Sequence, residues 1–267
     1  MTWTKRRRDA KHTAKISLAG SWLRGIWIAM IYFLASLLTL GFVPINIPNP
    51  LPDLNKIETA QLLRMFLPDT ITTEYLLLIA VSIVLFLIVL SPLAVGISRF
   101  FLRVARGEKP KFSVAFESFF SLKKVAGSVV LAILTFVLRI LWCGLLLAVP
   151  IGLVVFAPTL GPLATVFALP LYIIAMFGIF VAIAPYSLAS FMYAQAPERG
   201  AFRSILAAVK CCKGHRIEFM IYQMSFLPWR VLAFITAPIG SSLFMPYEQT
   251  ATALFMDSIV TPQNDLQ

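Results

Sequence analysis

The residues whose types and spacing could support chemistry are few, and three of them lie together: Cys211, Cys212 and His215. Two thiols and an imidazole could contribute to a zinc site, which usually needs four ligands. No fourth ligand or second Cys/His group accompanies them, and adjacent cysteines make poor disulfide partners because bridge geometry is restrictive. We interpret the run as a helix end with free thiols in a reducing compartment, and we predict neither a metal nor a cofactor.

Catalytic motifs are absent from the rest of the sequence. It contains no GxSxG elbow, HExxH pair, P-loop or dinucleotide-binding fingerprint. Nearly all of the twelve acidic residues fall outside the apolar stretches, so acid–base chemistry within a membrane has few candidates. We predict no catalytic residues and a non-enzymatic protein, with a lipid-active enzyme that uses loop residues as the remaining enzymatic alternative.

One charge, Arg139, lies deep within an apolar stretch. It stands about 14 residues into its predicted helix, or about 21 Å from the inner end. A charge at this depth costs about 2.5–3.5 kcal/mol on insertion scales and marks a functional hypothesis. Three interpretations are open: contact with a substrate or ion, a structural pair with Glu74 or Glu248, or snorkelling to the outer headgroups beside Trp142.

A second charge, Arg230, follows Pro228 and Trp229 in the last apolar region. Aromatic and basic residues together are typical of a membrane interface. If the chain turns there, Arg230 is an outer anchor; if one span continues, it is buried.

The elements that must position these residues are transmembrane helices. Hydrophobic residues make up 59% of the 267-residue chain and charged residues 13%, against about 25% charged in soluble domains. Apolar runs of helical length recur throughout, so we predict an all-α, polytopic helical membrane protein forming one membrane domain over residues 1–267. The predicted spans are 22–43, 75–95, 125–157, 163–193, 217–235 and 238–258.

Charge patterning predicts the orientation of the helices. Basic residues concentrate in the segment 1–21 and in the loops 96–124 and 194–216. Cytoplasmic segments collect Lys and Arg, so we place the N-terminus and both loops in the cytoplasm, with the protein in the cell inner membrane. We interpret the first apolar run as an uncleaved anchor, because it is longer than a signal-peptide core and lacks a clear cleavage site.

An internal repeat bears on the number of spans. Residues 91–107 and 184–200 align without gaps and pair Pro92 with Pro185, and the segment from Met245 resembles a shortened third copy. Three copies predict three helical hairpins and six spans with both termini inside. The acidic C-terminal tail favours the alternative of five spans.

The basic loops also predict interfacial amphipathic helices that contact anionic lipid. In the first loop, three arginines fall on one helix face: Arg99, Arg103 and Arg106. In the second, a basic stripe stands beside an apolar one: Arg199, Arg203, Lys210 and Lys213 beside Phe202, Ile205, Leu206 and Val209. We therefore predict anionic membrane lipids as partners, without nucleic acid. The alternative is that these charges only fix topology.

The C-terminal region resembles the bacterial integral-membrane family catalogued as domain of unknown function 975. In that family a Lys-Gly-His/Asn run leads into an aromatic span, a glycine-containing turn and a Pro-Tyr pair. The matching positions are Lys213, Gly214, His215, Ser225, Phe226, Trp229, Gly240, Pro246, Tyr247, Thr250 and Phe255. The loop "RVARGEKPKFSVAFESF" is similar to the family's inner loop. The resemblance implies a bacterial inner-membrane protein and transfers no catalytic residue.

Together these patterns predict an integral membrane protein that organises or responds to the membrane through its basic interfacial helices. The alternative is a small-molecule transporter or channel component, which the proline-broken spans and Arg139 favour.

Overall fold

The computed structural model describes residues 3–40, 73–156, 159, 161 and 163–264, and every regular element within them is helical. The helices are α1 (Trp3–Leu18), α2 (Trp22–Leu40), α3 (Thr73–Leu85), α4 (Ser91–Ala105), α5 (Leu122–Val155), α6 (Leu163–Ile183), α7 (Ala189–Gln195), α8 (Ala201–Cys211), α9 (Arg216–Met224), α10 (Leu227–Ile235) and α11 (Ile239–Asn264). A π-helical turn, Phe86–Leu90, joins α3 to α4. The described residues also include three 3₁₀ segments: Phe112–Phe120, Ala184–Leu188 and Pro197–Arg199. The all-α class is confirmed.

Four helical stretches are long and apolar enough to cross a membrane: Trp22–Thr39, Leu76–Ala105, Leu122–Val155 and Val166–Gln195. They correspond to the first four predicted spans, although residues 41–43 of the first lie outside the described residues. The predicted outer connections, 44–74 and 158–162, also lie mostly outside them. At 30 to 34 residues, the last three stretches exceed the ~20 residues that a bilayer core requires.

The two C-terminal spans that we predicted are not among these four. The first, 217–235, divides into α9 and α10, each nine residues long and therefore about 14 Å in length. The break falls at Ser225 and Phe226, and Pro228 occupies the first turn of α10, where its missing N–H costs least. All of the second, 238–258, except its first residue lies within α11, which is 26 residues long but carries Glu248 and Asp257.

The packed core lies around α11. Ala251, Ala253, Phe255 and Met256 of this helix are all 0% exposed. Helices α1, α2 and α4 pack against it. On α1, the buried residues Ala10, Ala14 and Leu18 recur every four positions, which forms one helix face.

Leu131 of α5 belongs to this core, but most of the hairpin of α5 and α6 projects from it. The two helices pack against each other, but almost none of the apolar window of α5 is buried within the protein. Large apolar side chains such as Phe136, Leu141 and Ile173 are more than half exposed. A helix that is apolar all round and unburied is suited to hydrocarbon rather than water.

One close approach fixes the segment after α4 on the core. A β-carbon built on Gly96 of α4 would lie 1.8 Å from the backbone oxygen of Ala115. The 3₁₀ segment Phe112–Phe120 therefore rests directly on the backbone of α4, which only glycine permits at this position.

Candidate functional site

Of the arginines predicted on the first basic face, Arg99 and Arg103 lie in α4 and Arg106 directly follows it. Each of the three contacts an acidic residue. The pairs are Arg99–Glu117 at 3.0 Å, Arg103–Glu108 at 3.9 Å and Arg106–Asp257 at 3.2 Å. Anionic lipid would compete with these carboxylates for the same guanidinium groups, so the positive charge of α4 is partly neutralised within the protein.

The second basic set lies on and beside α8 and has a different character. Arg199, Arg203, Lys210 and Lys213 are all exposed, and within the described residues none of them forms an ion pair. The neighbouring Phe202 and Leu206 are 63% and 44% exposed, whereas Ile205, predicted to belong to the same apolar stripe, is buried in the core. The exposed face of α8 thus combines apolar and cationic side chains.

The cysteines at the end of α8 point into the core. Cys211 is 5% exposed and Cys212 0%. Burial raises the pKa of the Cys211 thiol to about 11 and that of Cys212 to about 12. His215 precedes α9, with its Nδ1 3.0 Å from Glu218 Oε2. In the part of the chain that the structure describes, no three His, Cys, Asp or Glu side chains form a group that could hold a metal ion.

Two lysines of α1 that we did not single out from the sequence lie beside the C-terminal helices. Lys11 Nζ donates a 2.7 Å hydrogen bond to Ser225 Oγ and lies 4.4 Å from the Phe226 ring centre. Burial, and then the charge of Arg7, lower the pKa of Lys11. Lys15, one turn later, is exposed. The i, i+4 spacing of two lysines is the sequence signal that could have identified them.

Lys11 and Lys15 border a groove of about 890 Å³ between α1 and the helices α10 and α11. Most of its remaining lining is apolar or aromatic and includes Trp22, Trp229 and Phe244. The cations of this groove suit an anionic lipid headgroup, and its aromatic walls suit an acyl chain.

Arg230 lies in α10 and pairs with Glu248 of α11. Its Nε donates a 2.8 Å hydrogen bond to Glu248 Oε1, and its Nη2 contacts the same carboxylate and the Gln223 amide oxygen. Glu248 was one of the partners that we considered for Arg139. Because it is engaged by Arg230, it does not neutralise Arg139.

Arg139 lines a cavity of about 330 Å³ between the α3–α4 junction, α5 and the α6–α7 junction. On α5, Ser128, Leu131, Thr135 and Arg139 share one helix face at spacings of three and four. Among the described residues Arg139 has neither a hydrogen bond nor an ion pair, and Glu74, the other partner considered, does not contact it. No acidic side chain is found among the described residues that line the cavity.

Hydroxyl groups provide most of the other polar lining. Ser91 Oγ is buried and has no hydrogen-bond partner among the described residues. The Tyr186 hydroxyl accepts a 2.9 Å hydrogen bond from Trp142 Nε1, which leaves its own proton to donate. Ser190 Oγ lies 3.0 Å from Ser98 Oγ and joins α7 to α4. The cavity therefore presents a cation and hydroxyl donors together.

Two breaks in helix geometry open this space. The π-helical turn Phe86–Leu90 precedes Pro92, and the 3₁₀ segment Ala184–Leu188 contains Pro185. Proline removes a backbone donor and disfavours a continuous α-helix. These prolines are the pair that the internal repeat aligns, and the breaks of both copies border one cavity. A second cavity of about 210 Å³ shares lining residues with it and extends to Arg230 and Glu248.

The buried aromatic residues of the C-terminal motif have packing roles and do not line the Arg139 cavity. Phe226 packs edge-on against Tyr222 at 5.1 Å between ring centres, and Phe255 stacks on Tyr222 at 4.4 Å. A β-carbon on Gly25 would lie 3.0 Å from Pro246 Cβ, so α11 passes close to α2. The motif holds the C-terminal helices together and against the N-terminal ones.

Comparison with curated proteins and with solved structures finds no match to the chain. A family model described as "Protein of unknown function (DUF975)" matches residues 1–263. The match extends over both basic segments, the cavity and the C-terminal motif, and the chain belongs to this family.

Proposed function

We propose that the protein is a non-enzymatic membrane protein that binds anionic lipid headgroups through the exposed face of α8. In this proposal it lies in a bacterial inner membrane with its N-terminus and basic segments in the cytoplasm. The observation that carries the proposal is the contrast between two basic sets. The α4 arginines are paired with carboxylates, whereas the cations on and beside α8 are exposed together with Phe202 and Leu206.

The chemistry of this face suits the headgroup region of a bilayer. An interfacial helix inserts apolar side chains while its basic side chains attract anionic lipid. Each Lys or Arg near an anionic surface contributes about 1 kcal/mol, and this attraction decreases within a Debye length of about 8 Å at physiological salt. Lys15 and the aromatic groove beside α1 support the proposal, because they offer a second place for a headgroup and its acyl chain.

The test uses the full-length protein reconstituted in bilayers, with spin-labelled phosphatidylglycerol and phosphatidylcholine as reporters of lipid contact. The α8 variant carries Arg199→Gln, Arg203→Gln, Lys210→Gln and Lys213→Gln. We expect the wild type to prefer phosphatidylglycerol and the α8 variant to lose most of this preference.

The matched control removes the same number of positive charges elsewhere, with Lys5→Gln, Arg8→Gln, Lys109→Gln and Lys111→Gln, all of which are exposed in the wild type. It should retain most of the preference. Equal affinity of the wild type for the two lipids at physiological salt would contradict the proposal. An equal loss in both variants would show that the net charge of the protein, and not the α8 face, sets the preference for phosphatidylglycerol.

A second candidate function is transport of a small solute, and the cavity at the two helix breaks favours it. Binding sites of membrane transporters are commonly formed by discontinuous helices that belong to internal repeats. We expect proteoliposomes to pass acetate or phosphate faster than protein-free vesicles, and Arg139→Leu to abolish the difference. Flux in the wild type that is no faster than in protein-free vesicles argues against this candidate.

A further inference from the structure

We infer that the cavity at Arg139 binds the carboxylate or phosphate group of an anionic ligand, with Arg139 as its counter-charge. The site lies in a different part of the molecule from the α8 face and does not depend on lipid binding there. Anion binding at this site names a class of ligand for the second candidate function. The site would bind such a ligand whether or not the ligand crosses the membrane.

The charge of Arg139 lies deep within an apolar helix. Arg139 lies at the middle of α5, about 26 Å along the helix from Leu122 and about 24 Å from Val155. A charged group at such a depth is costly unless it is paired or reaches water. The snorkelling interpretation relied on Trp142 as an interfacial anchor, but the Trp142 indole N–H is engaged with Tyr186 within the protein.

Arg139 and the hydroxyl groups beside it are hydrogen-bond donors. The Arg139 guanidinium carries five N–H groups, and planar bidentate recognition of carboxylate and phosphate is its usual use. The Ser91 hydroxyl is buried without a partner in the described structure, and a buried hydroxyl left unpaired costs about 1–3 kcal/mol. Tyr186 adds a hydroxyl proton beside them. All three residues line the same cavity, and an oxyanion there would supply the counter-charge that Arg139 lacks among the described residues.

The size and the lining of the cavity decide which ligands it favours. With a volume of about 330 Å³, the cavity is near the lower end of the ~300–1,000 Å³ typical of small-ligand sites. The described lining contains a cation and hydroxyl groups but no carboxylate, so it favours an anion over a cation. In the neighbouring cavity, by contrast, Arg230 is already neutralised by Glu248.

The anionic group could belong to a soluble solute or to a lipid, and the experiment separates the two. The full-length protein is placed in phosphatidylcholine nanodiscs, and its thermal unfolding midpoint is followed against rising inorganic phosphate, acetate or oleate at constant ionic strength. A ligand that binds only the folded state raises this midpoint. A response to phosphate or acetate indicates a soluble ligand, and a response to oleate alone indicates a lipid-borne one.

Substitutions then assign the response to the cavity. We expect Arg139→Gln to weaken the affinity at least about tenfold and Ser91→Ala about threefold, while Arg139→Lys, which keeps the charge, retains more affinity than Arg139→Gln. Lys123→Gln, an exposed position on the same helix, should respond as the wild type does. The quadruple α8 variant should also keep the response, which separates this site from the proposed lipid face.

Two outcomes would overturn the inference. One is a wild-type midpoint that none of the three anions raises, or that they raise equally in Arg139→Gln. The other comes from Arg139→Leu without ligand. An unpaired charge does not stabilise the fold, so we expect this variant to unfold at the wild-type temperature or above; a marked drop would make Arg139 a structural residue.

Discussion

The reactivity of a thiol depends on its ionised fraction, and burial in the core suppresses ionisation of Cys211 and Cys212. With a pKa of about 11 for Cys211, about one thiol in a thousand is ionised at pH 8. We expect maleimide to label these cysteines slowly in the folded protein and rapidly in denaturant, in a Cys143→Ala background. Labelling of the folded protein at the rate of a free thiol would contradict the buried placement.

The same pKa shifts predict how stability depends on pH. In the folded state the raised pKa values favour the protonated thiols, so their contribution is fully present below the unfolded pKa of about 8.5. It decreases as the pH rises from there towards about 11. Replacing both cysteines with serine should therefore make the thermal unfolding midpoint fall less between pH 8 and pH 10. If the midpoint of that variant falls as steeply as that of the wild type, the two thiols do not cause the pH dependence.

Gly96 allows a sharper test of packing at a single residue. Because a β-carbon there would collide with the Ala115 backbone, we expect Gly96→Ala to destabilise the fold by about 1–3 kcal/mol. Gly144→Ala on α5 is the control, because nothing lies within 4 Å of its β-carbon position and alanine favours helix. The measurement is the thermal unfolding midpoint in detergent. Equal midpoints for the two variants would show that the 3₁₀ segment does not rest on α4.

At the scale of elements, an ion pair joins α1 to α9. Arg6 Nη1 lies 3.5 Å from Glu218 Oε2, and the two side chains are only 11% and 9% exposed. Removing one partner of a buried pair leaves the other uncompensated. We therefore expect Glu218→Gln to destabilise the fold by about 2 kcal/mol and to increase hydrogen exchange in α1.

The same substitution in an exposed pair provides its control. Glu108 lies 3.9 Å from Arg103 and its side chain is 57% exposed, so Glu108→Gln should cost less than about 0.5 kcal/mol. If Glu218→Gln proves equally mild, α1 is held by its apolar face and not by this pair.

The four long apolar helices could be predicted from the sequence because their length and composition match the bilayer. The short helices α9 and α10 could not. In a membrane protein, hydrophobicity does not distinguish a side chain that faces lipid from one that packs on another helix. The sequence predicts one span that includes Phe219, Tyr222 and Phe226. In the structure these rings pack against Phe255 and Tyr247 instead.

The cavity was beyond prediction for a related reason. Arg139 was identified as an unusual charge, but its polar neighbours come from three separate parts of the chain, and single serines within apolar runs carry little information. One signal was present: Ser128, Thr135 and Arg139 share a face of α5. The repeat also aligned Pro92 with Pro185, although only the structure shows that both breaks border the same cavity.

At the scale of the whole molecule, the helices form a packed end and a projecting hairpin. The core around α11 includes α1, α4, α8 and α9, whereas α5 and α6 extend beyond it with apolar surfaces exposed. The unpaired cations near α8 belong to the packed end, and the Arg139 cavity lies where the hairpin leaves it. The two proposed sites are therefore separate in space as well as in chemistry.

The packing of α11 also predicts the side of the membrane on which the chain ends. α11 lies along α1, which precedes the first apolar helix, and Asp257 pairs with Arg106 at the end of α4. Since residues in contact at a helix end share one side of a bilayer, the C-terminal end of α11 belongs with the N-terminal helix and the first basic loop. An even number of crossings, four or six, satisfies this arrangement, and five does not.

Reporter fusions to full-length and truncated chains measure this directly. Alkaline phosphatase, active outside the cytoplasm, and green fluorescent protein, fluorescent inside, are fused after Gly107, Gly161 and Gln267. We expect Gly107 and Gln267 to report the cytoplasm and Gly161 the opposite side. Positive charge surrounds Gly107, and Asp257 of α11 contacts the neighbouring Arg106. A Gln267 fusion active outside would require five crossings, and it would be incompatible with the Arg106–Asp257 pair and with the packing of α1 on α11.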